Sequence, residues 1–223
     1  MTKKTTYILV DVSGSMRDCD KHTRASAVNQ AMRKVVEEVL PEISAHGDAE
    51  NESYFAVLTF SSDSEGKPML EWHIPKAKMD EVAEAGWVDI ANEKFYGGTP
   101  TGAAIKELAS VLNGNGDNDP DEAAPAILLI SDGEPNGKNP TYEEALGYVE
   151  TTSPHFCRKL RYSNRIAIGI QVDESGRESL KKFGRLSSSL KDDFLPYYDC
   201  TDDNTEALKE LIKSCTQALS ENV

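Results

Sequence analysis

The sequence lacks both a long apolar run and an excess of basic residues. No segment approaches the roughly 18 consecutive apolar residues of a membrane-spanning helix, so we expect no membrane span. Acidic residues outnumber basic ones by 38 to 24, which gives a formal net charge of −14. Because nucleic acid and anionic lipid surfaces are also negatively charged, neither is an expected partner.

Regular cysteine pairs are also missing. The cysteines form no CxxC motif and show no zinc-finger spacing with the histidines, which argues against a structural zinc site; they are Cys19, Cys157, Cys200 and Cys215. Reduced thiols and the short apolar run after Lys4, too brief for a signal peptide, predict a cytoplasmic protein.

Apolar runs separated by helical patterns dominate what is present. The runs at 7–12, 54–60, 126–131 and 165–172 read as buried strands, while shorter strands are expected at 69–74 and 194–199. Strands without polar alternation, joined by helices, are typical of a parallel sheet covered on both faces. We therefore predict one α/β domain over residues 1–223, doubly wound, with about six strands and one short antiparallel edge strand.

Three segments rich in oxygen ligands follow or adjoin these predicted strands and helices. They are Asp11-Val-Ser13-Gly-Ser15, Gly97-Gly98-Thr99 and Asp132-Gly133-Glu134. Loops at the carboxyl ends of parallel strands form the binding crevice of such a sheet. Carboxylates and hydroxyls without sulfur or imidazole suit a hard cation such as Mg²⁺, with Mn²⁺ or Ca²⁺ as substitutes.

The motif Asp11-x-Ser13-x-Ser15, with Thr99 in GGTPTG and Asp132 in LLISDGEP, resembles the von Willebrand factor type A (vWA) domain. The resemblance implies a Rossmann-like fold and a metal-ion-dependent adhesion site. It further implies that Ser13, Ser15 and Thr99 coordinate the metal directly, while Asp11 and Asp132 hold it mostly through water. Thr101 is the rival of Thr99, which we prefer because it directly follows the two glycines.

The function implied by this resemblance is protein binding without catalysis. Neutral hydroxyls leave the charge of the cation poorly compensated, so an Asp or Glu carboxylate of a protein partner completes its coordination. GGTPTG and SDGEP look most similar to the bacterial TerY-like branch associated with tellurite resistance. That branch implies a regulatory scaffold beside a kinase, a phosphatase or an AAA-type ATPase.

Other interpretations of the same residues stay open. Asp11 ends a first strand, where several phosphatase families keep a nucleophile, so a metal-dependent phosphoryl-transfer enzyme is the alternative function. Against an enzyme, the sequence has no GxxxxGK[ST], HExxH or GxSxG motif. The serines could instead cap the next helix. Residues 117–121 are expected to form a solvated acidic loop, and the basic residues at 158–165 a solvated face or a site for phosphate or an acidic partner.

Overall fold

A six-stranded sheet forms the centre of the computed structural model, which describes residues 2–19, 23–45, 51–114, 123–138, 140–188, 190, 193–200 and 205–221. The strands are β1 (Thr2–Asp11), β2 (Asn51–Ser62), β3 (Pro68–Lys78), β4 (Ala126–Ser131), β5 (Asn164–Ile170) and β6 (Tyr197–Cys200). Their order is β3-β2-β1-β4-β5-β6. All neighbours are parallel except the antiparallel pair β2 and β3. The predicted fold and its antiparallel edge strand are confirmed, although β3 has 11 residues and extends beyond 69–74.

Helices cover both faces of this sheet. They are α1 (Arg24–Lys34), α2 (Leu40–Ala45), α3 (Met79–Ala85), α4 (Thr101–Gly114), α5 (Tyr142–Leu146), α6 (Arg158–Tyr162), α7 (Glu174–Phe183) and α8 (Thr205–Glu221). Along β1, Ile8 and Val10 join the core with α1 and α8, whereas Tyr7 and Leu9 join the core with α4 and α7. Because alternate side chains are buried on opposite faces, the strand reads as an unbroken apolar run.

Apolar residues at helical spacing from Thr23 to the region of Pro41 predict one helix, and the structure shows an irregularity within it. After α1 the chain forms five residues of π-helix, Val35–Val39, and then continues through Pro41 as α2. The N–H of Leu40 donates to the carbonyl of Val35, one residue further back than in an α-helix. Proline has no N–H to donate and crowds the preceding turn, and the wider turn accommodates it.

Two further predictions concern segments between the predicted strands. Residues 76–92 have a weak helical pattern, which predicts a helix there. The α-helix in that range is only α3, because β3 continues to Lys78 and Gly86, with a φ of 74°, ends the helix. The acidic loop at 117–121 lies outside the described residues. Each helix in the described part of the chain is too short or too polar to cross a lipid bilayer.

The strand order fixes where a binding crevice forms. β1 lies between β2 and β4, so the connections leaving β1 and β4 run in opposite directions across the sheet. The carboxyl ends of these two strands form the switch point at which doubly wound sheets bind ligands. Asp11 is the last residue of β1, and Asp132 directly follows β4.

Candidate metal centre

Asp11 is fixed at the end of β1 by neutral donors. Its side chain is fully buried, with 0% of its surface exposed. The backbone N–H of Ser13 donates to Oδ1 at 2.8 Å, and the Ser131 hydroxyl donates to Oδ2 at 2.6 Å. Ser131 is the last residue of β4, so this carboxylate joins the two central strands.

A chain of hydroxyls connects the first loop to Asp132. Ser13 Oγ lies 3.1 Å from Ser15 Oγ, and Ser15 Oγ donates to Asp132 Oδ1 at 2.8 Å. A short 3-10 turn, Gly14–Met16, brings the two serine side chains together. The structure therefore places both serines and both carboxylates of the predicted site at one edge of the sheet.

Thr99 reaches the same edge through a glycine turn. Gly97 has a φ of 74°, and a Cβ at this position would lie 1.7 Å from the Ser62 carbonyl oxygen, so only glycine fits. The Gly14 N–H donates to the Gly97 carbonyl at 3.0 Å, which ties this turn to the first loop. A Cβ added to Gly133 would lie 3.4 Å from Thr99 Oγ1, so the threonine hydroxyl faces the turn that follows Asp132.

The rival Thr101 lies at a different place. It is the first residue of α4, and its N–H donates to the Thr99 carbonyl at 2.9 Å. Its hydroxyl is buried and has no hydrogen-bond partner among the described residues. The contact with Gly133 favours Thr99 as the ligand, and the two hydroxyls can be separated by substitution.

Burial and a neighbouring carboxylate disfavour the charge of Asp11. Burial, and then the charge of Asp132, raise the pKa of Asp11 to about 7. Burial also raises the pKa of Asp132, although the Ser15 hydroxyl and Arg24 act in the opposite direction. A divalent cation would offset this repulsion, and the donors are all oxygens, so the residues fit a hard metal ion. Within the described ranges, no group of three His, Cys, Asp or Glu side chains forms a rival metal site.

Comparison with known families identifies the family of this domain. A family model for the von Willebrand factor type A domain matches residues 6–134, more than half of the chain and all three loops. The chain belongs to the vWA family. No curated protein sequence matches the chain significantly.

Solved structures share the fold of this vWA domain at low sequence identity. The pilus adhesin SpaC from Lactobacillus rhamnosus GG has a TM-score of 0.62 at 16% identity, covering 98% of this chain and 31% of its own. Proximal thread matrix protein 1 from the mussel byssus, with a zinc-occupied MIDAS motif, has the same score and identity, covering 97% of this chain and 48% of its own. The vWF domain of the pilus tip protein Mfa5 from Porphyromonas gingivalis has a TM-score of 0.55 at 8% identity, covering 98% and 96%. The chain thus spans less than half the length of the first two.

Several residues outside the predicted site support the vWA loops. The Asn136 side-chain oxygen accepts a hydrogen bond from the Thr99 N–H at 2.9 Å, and the backbone N–H of Asn136 donates to the Thr99 carbonyl at 3.0 Å. Ser62 accepts a bond from the Gly98 N–H at 2.7 Å. Arg24 bonds to Asp132. Asn136 lies four residues beyond Asp132, so a search for polar residues near the motif could have found it.

The structure argues against two other interpretations of the sequence, a nucleophilic role of Asp11 and a solvated basic face at 158–165. Asp11 is buried and both its oxygens accept hydrogen bonds, which leaves it badly placed to attack a phosphate. The basic segment at 158–165 is not a uniformly solvated face, because Arg165 is buried and donates to the carbonyls of Leu160 and Phe183. Arg165 therefore has a structural role beside α7.

Proposed function

We propose that this vWA domain is a non-catalytic binding module that holds Mg²⁺ and, through it, a carboxylate of a protein partner. The observation that carries the proposal is the continuous set of hydrogen bonds from Ser13 through Ser15 to Asp132. It brings together oxygen donors from two loops at the switch point of the sheet. The residues that would hold the metal are Asp11, Ser13, Ser15, Thr99 and Asp132.

The donor set explains why an external ligand would be needed. The serine and threonine oxygens are neutral, and Asp11 is already engaged by the Ser13 N–H and the Ser131 hydroxyl. A bound cation would supply positive charge at this edge, and an Asp or Glu side chain of a partner would neutralise it. Mn²⁺ and Ca²⁺ are the expected substitutes for Mg²⁺.

The biological setting is part of the same proposal. We assign residues 1–223 to one vWA domain that acts in the cytoplasm as a TerY-like scaffold. The expected partner is a kinase, a phosphatase or an AAA-type ATPase of a stress or tellurite-resistance system. The cysteines form no disulfide bond in the described part of the chain, which supports a reducing compartment; they are Cys19, Cys157, Cys200 and Cys215. Cell fractionation checks the location, and a pull-down with Mg²⁺ compared with EDTA checks the partner.

A calorimetric titration with Mg²⁺ tests the metal site. Thr99→Val removes the proposed ligand but keeps the shape of the side chain, and we expect it to weaken binding at least about tenfold. Thr101→Val is the matched control, because it removes a buried hydroxyl without a partner among the described residues and is expected to bind like the parent. Equal binding by the parent and Thr99→Val would refute the role of Thr99, and no binding by the parent would refute the proposed function.

A further inference from the structure

Arg24 places a positive charge inside the candidate metal centre. It is the first residue of α1, and its Nη1 donates to Asp132 Oδ2 and, at 3.0 Å, to the Ser15 carbonyl. Its Nη2 donates to Gln171 Oε1 at 2.6 Å. The side chains of Arg24 and Asp132 are only 13% and 0% exposed, so water screens this ion pair weakly.

The surroundings of Arg24 are not optimised for stability alone. Its Nε is buried and has no hydrogen-bond partner within the part of the chain that the structure describes. Gln171, which accepts from Nη2, has a φ of 51°, a left-handed conformation that is unfavourable for a residue other than glycine. The Gln171 N–H donates to the Cys200 carbonyl of β6 at 2.8 Å, which holds that conformation in place. An unpaired buried donor and a strained neighbour are features that cluster at functional sites.

Arg24 changes the net charge of the candidate metal centre. Asp11 and Asp132, when ionised, contribute two negative charges, and Arg24 reduces their sum to one. Set against a divalent cation, these three side chains leave one positive charge at the sheet edge. Without Arg24 the two carboxylates would neutralise the cation fully, and the attraction for an external carboxylate would be weaker.

We propose that Arg24 tunes the loaded site for its partner, lowering its affinity for the metal and raising its affinity for the carboxylate. This inference rests on the proposed function and adds a specificity-determining residue outside the five ligands. A purely structural clamp on Asp132 would behave differently. Its loss would let the Asp132 carboxylate move, and the affinities for metal and carboxylate would fall together.

The test uses Mn²⁺ as the metal probe and acetate as the carboxylate probe. Mn²⁺ affinity is measured by electron paramagnetic resonance, and displacement of bound water by acetate is followed through water-proton relaxation. We expect Arg24→Gln to bind Mn²⁺ about tenfold more tightly and to bind acetate about tenfold more weakly than the parent. Arg24→Lys keeps the charge, so both of its affinities should stay close to those of the parent.

A second arginine of α1 provides the matched control. Arg33 pairs with Asp89 at 2.7 Å, and both side chains are about half exposed, at 46% and 50%. Arg33→Gln removes the same charge from the same helix and is expected to leave both affinities unchanged. Thermal unfolding of every variant checks that the fold is retained.

The outcomes separate the inference from the proposal beneath it. If the parent binds no Mn²⁺, the proposed function and the role of Arg24 fail together. Two results would overturn the tuning role alone, with the parent still binding Mn²⁺. In the first, Arg24→Gln binds both probes more weakly than the parent; in the second, it binds both as tightly as the parent does. Opposite changes in the two affinities, with Arg24→Lys close to the parent, would support it.

Discussion

Asp11 and Asp132 lie at the carboxyl ends of neighbouring strands at the centre of the sheet, but their surroundings differ. Asp11 is held by a backbone N–H and a serine hydroxyl, both neutral, and its pKa is raised to about 7. Asp132 accepts from the Ser15 hydroxyl and from the guanidinium of Arg24. The environment of Asp11 fixes the position of the carboxylate but disfavours its charge. The environment of Asp132 fixes the carboxylate and also compensates its charge through Arg24.

This difference separates two requirements of a metal centre. Neutral donors determine where the Asp11 oxygens lie, and burial makes ionisation of this carboxyl group unfavourable in the metal-free protein. Arg24 makes the ionised form of Asp132 less costly before any metal binds. Removing the charge of Asp11 and removing the charge of Asp132 should therefore change the stability of the metal-free protein by different amounts.

The largest effect is expected for Asp11→Asn. The amide keeps the shape of the carboxylate but removes a ligand charge, so Mg²⁺ affinity measured by calorimetry should fall about a hundredfold or more. The same change removes an unfavourable buried charge, and at pH 8 the metal-free protein should gain roughly 4 kcal/mol of unfolding free energy, from the rise of the Asp11 pKa from 3.8 to about 7. Chemical denaturation in EDTA measures this gain. A loss of stability in Asp11→Asn would contradict the conclusion that the charge of Asp11 is unfavourable in the folded, metal-free protein.

Lowering the pH should change the contribution of Asp11, at the end of β1, to stability and to metal binding. The pKa of Asp11 is about 7 in the folded protein and 3.8 in the reference state, so the folded metal-free protein binds the extra proton between these values. The contribution of Asp11 to stability therefore decreases as pH rises from about 4 to about 7 and is constant above that. Metal binding must release this proton, so Mg²⁺ affinity should fall about tenfold per pH unit below pH 7.

The Asp11→Asn variant is the reference for the stability part of this prediction. Subtracting its denaturation free energies from those of the parent cancels the other titrating groups and leaves the contribution of Asp11. A difference that does not change between pH 5 and pH 7.5 would show that the folded protein keeps Asp11 ionised throughout.

The smallest change in stability is expected for Asp132→Asn. Removing this carboxylate relieves a burial cost but leaves Arg24 facing a neutral amide, and the two effects oppose each other. The unfolding free energy of the metal-free protein should therefore stay within about 1 kcal/mol of the parent. Mg²⁺ binding should still be lost. A gain as large as that of Asp11→Asn would show that Arg24 does not compensate Asp132.

Much of this arrangement could be predicted from the sequence. The unbroken apolar runs indicated strands buried on both faces, and the strand-end motif indicated that Asp11, Ser13, Ser15 and Asp132 would meet. The antiparallel β3 extended further than predicted because an edge strand has only one paired side and a weaker apolar pattern. A sequence pattern predicts a strand or helix well when all the residues that form the pattern lie within that one element.

Arg24 and Gln171 could not be predicted in the same way. They are 147 positions apart in the sequence, and each reads there as an ordinary polar residue. Their contact depends on how α1 and the end of β5 sit above the same edge of the sheet, and on the left-handed backbone of Gln171. Thr99, in contrast, is favoured over Thr101 by the sequence because it directly follows the two glycines, and the approach of its hydroxyl to Gly133 favours the same residue.

The bonds that assemble the centre join residues far apart along the chain. Ser15 and Asp132 are separated by 117 positions, and Asp11 and Ser131 by 120. Contacts of such long range close large loops and are entropically costly, so they are expected to form late in folding. Metal binding would then require the central strands to be in their final order, so calorimetric titration during refolding would follow the completion of folding.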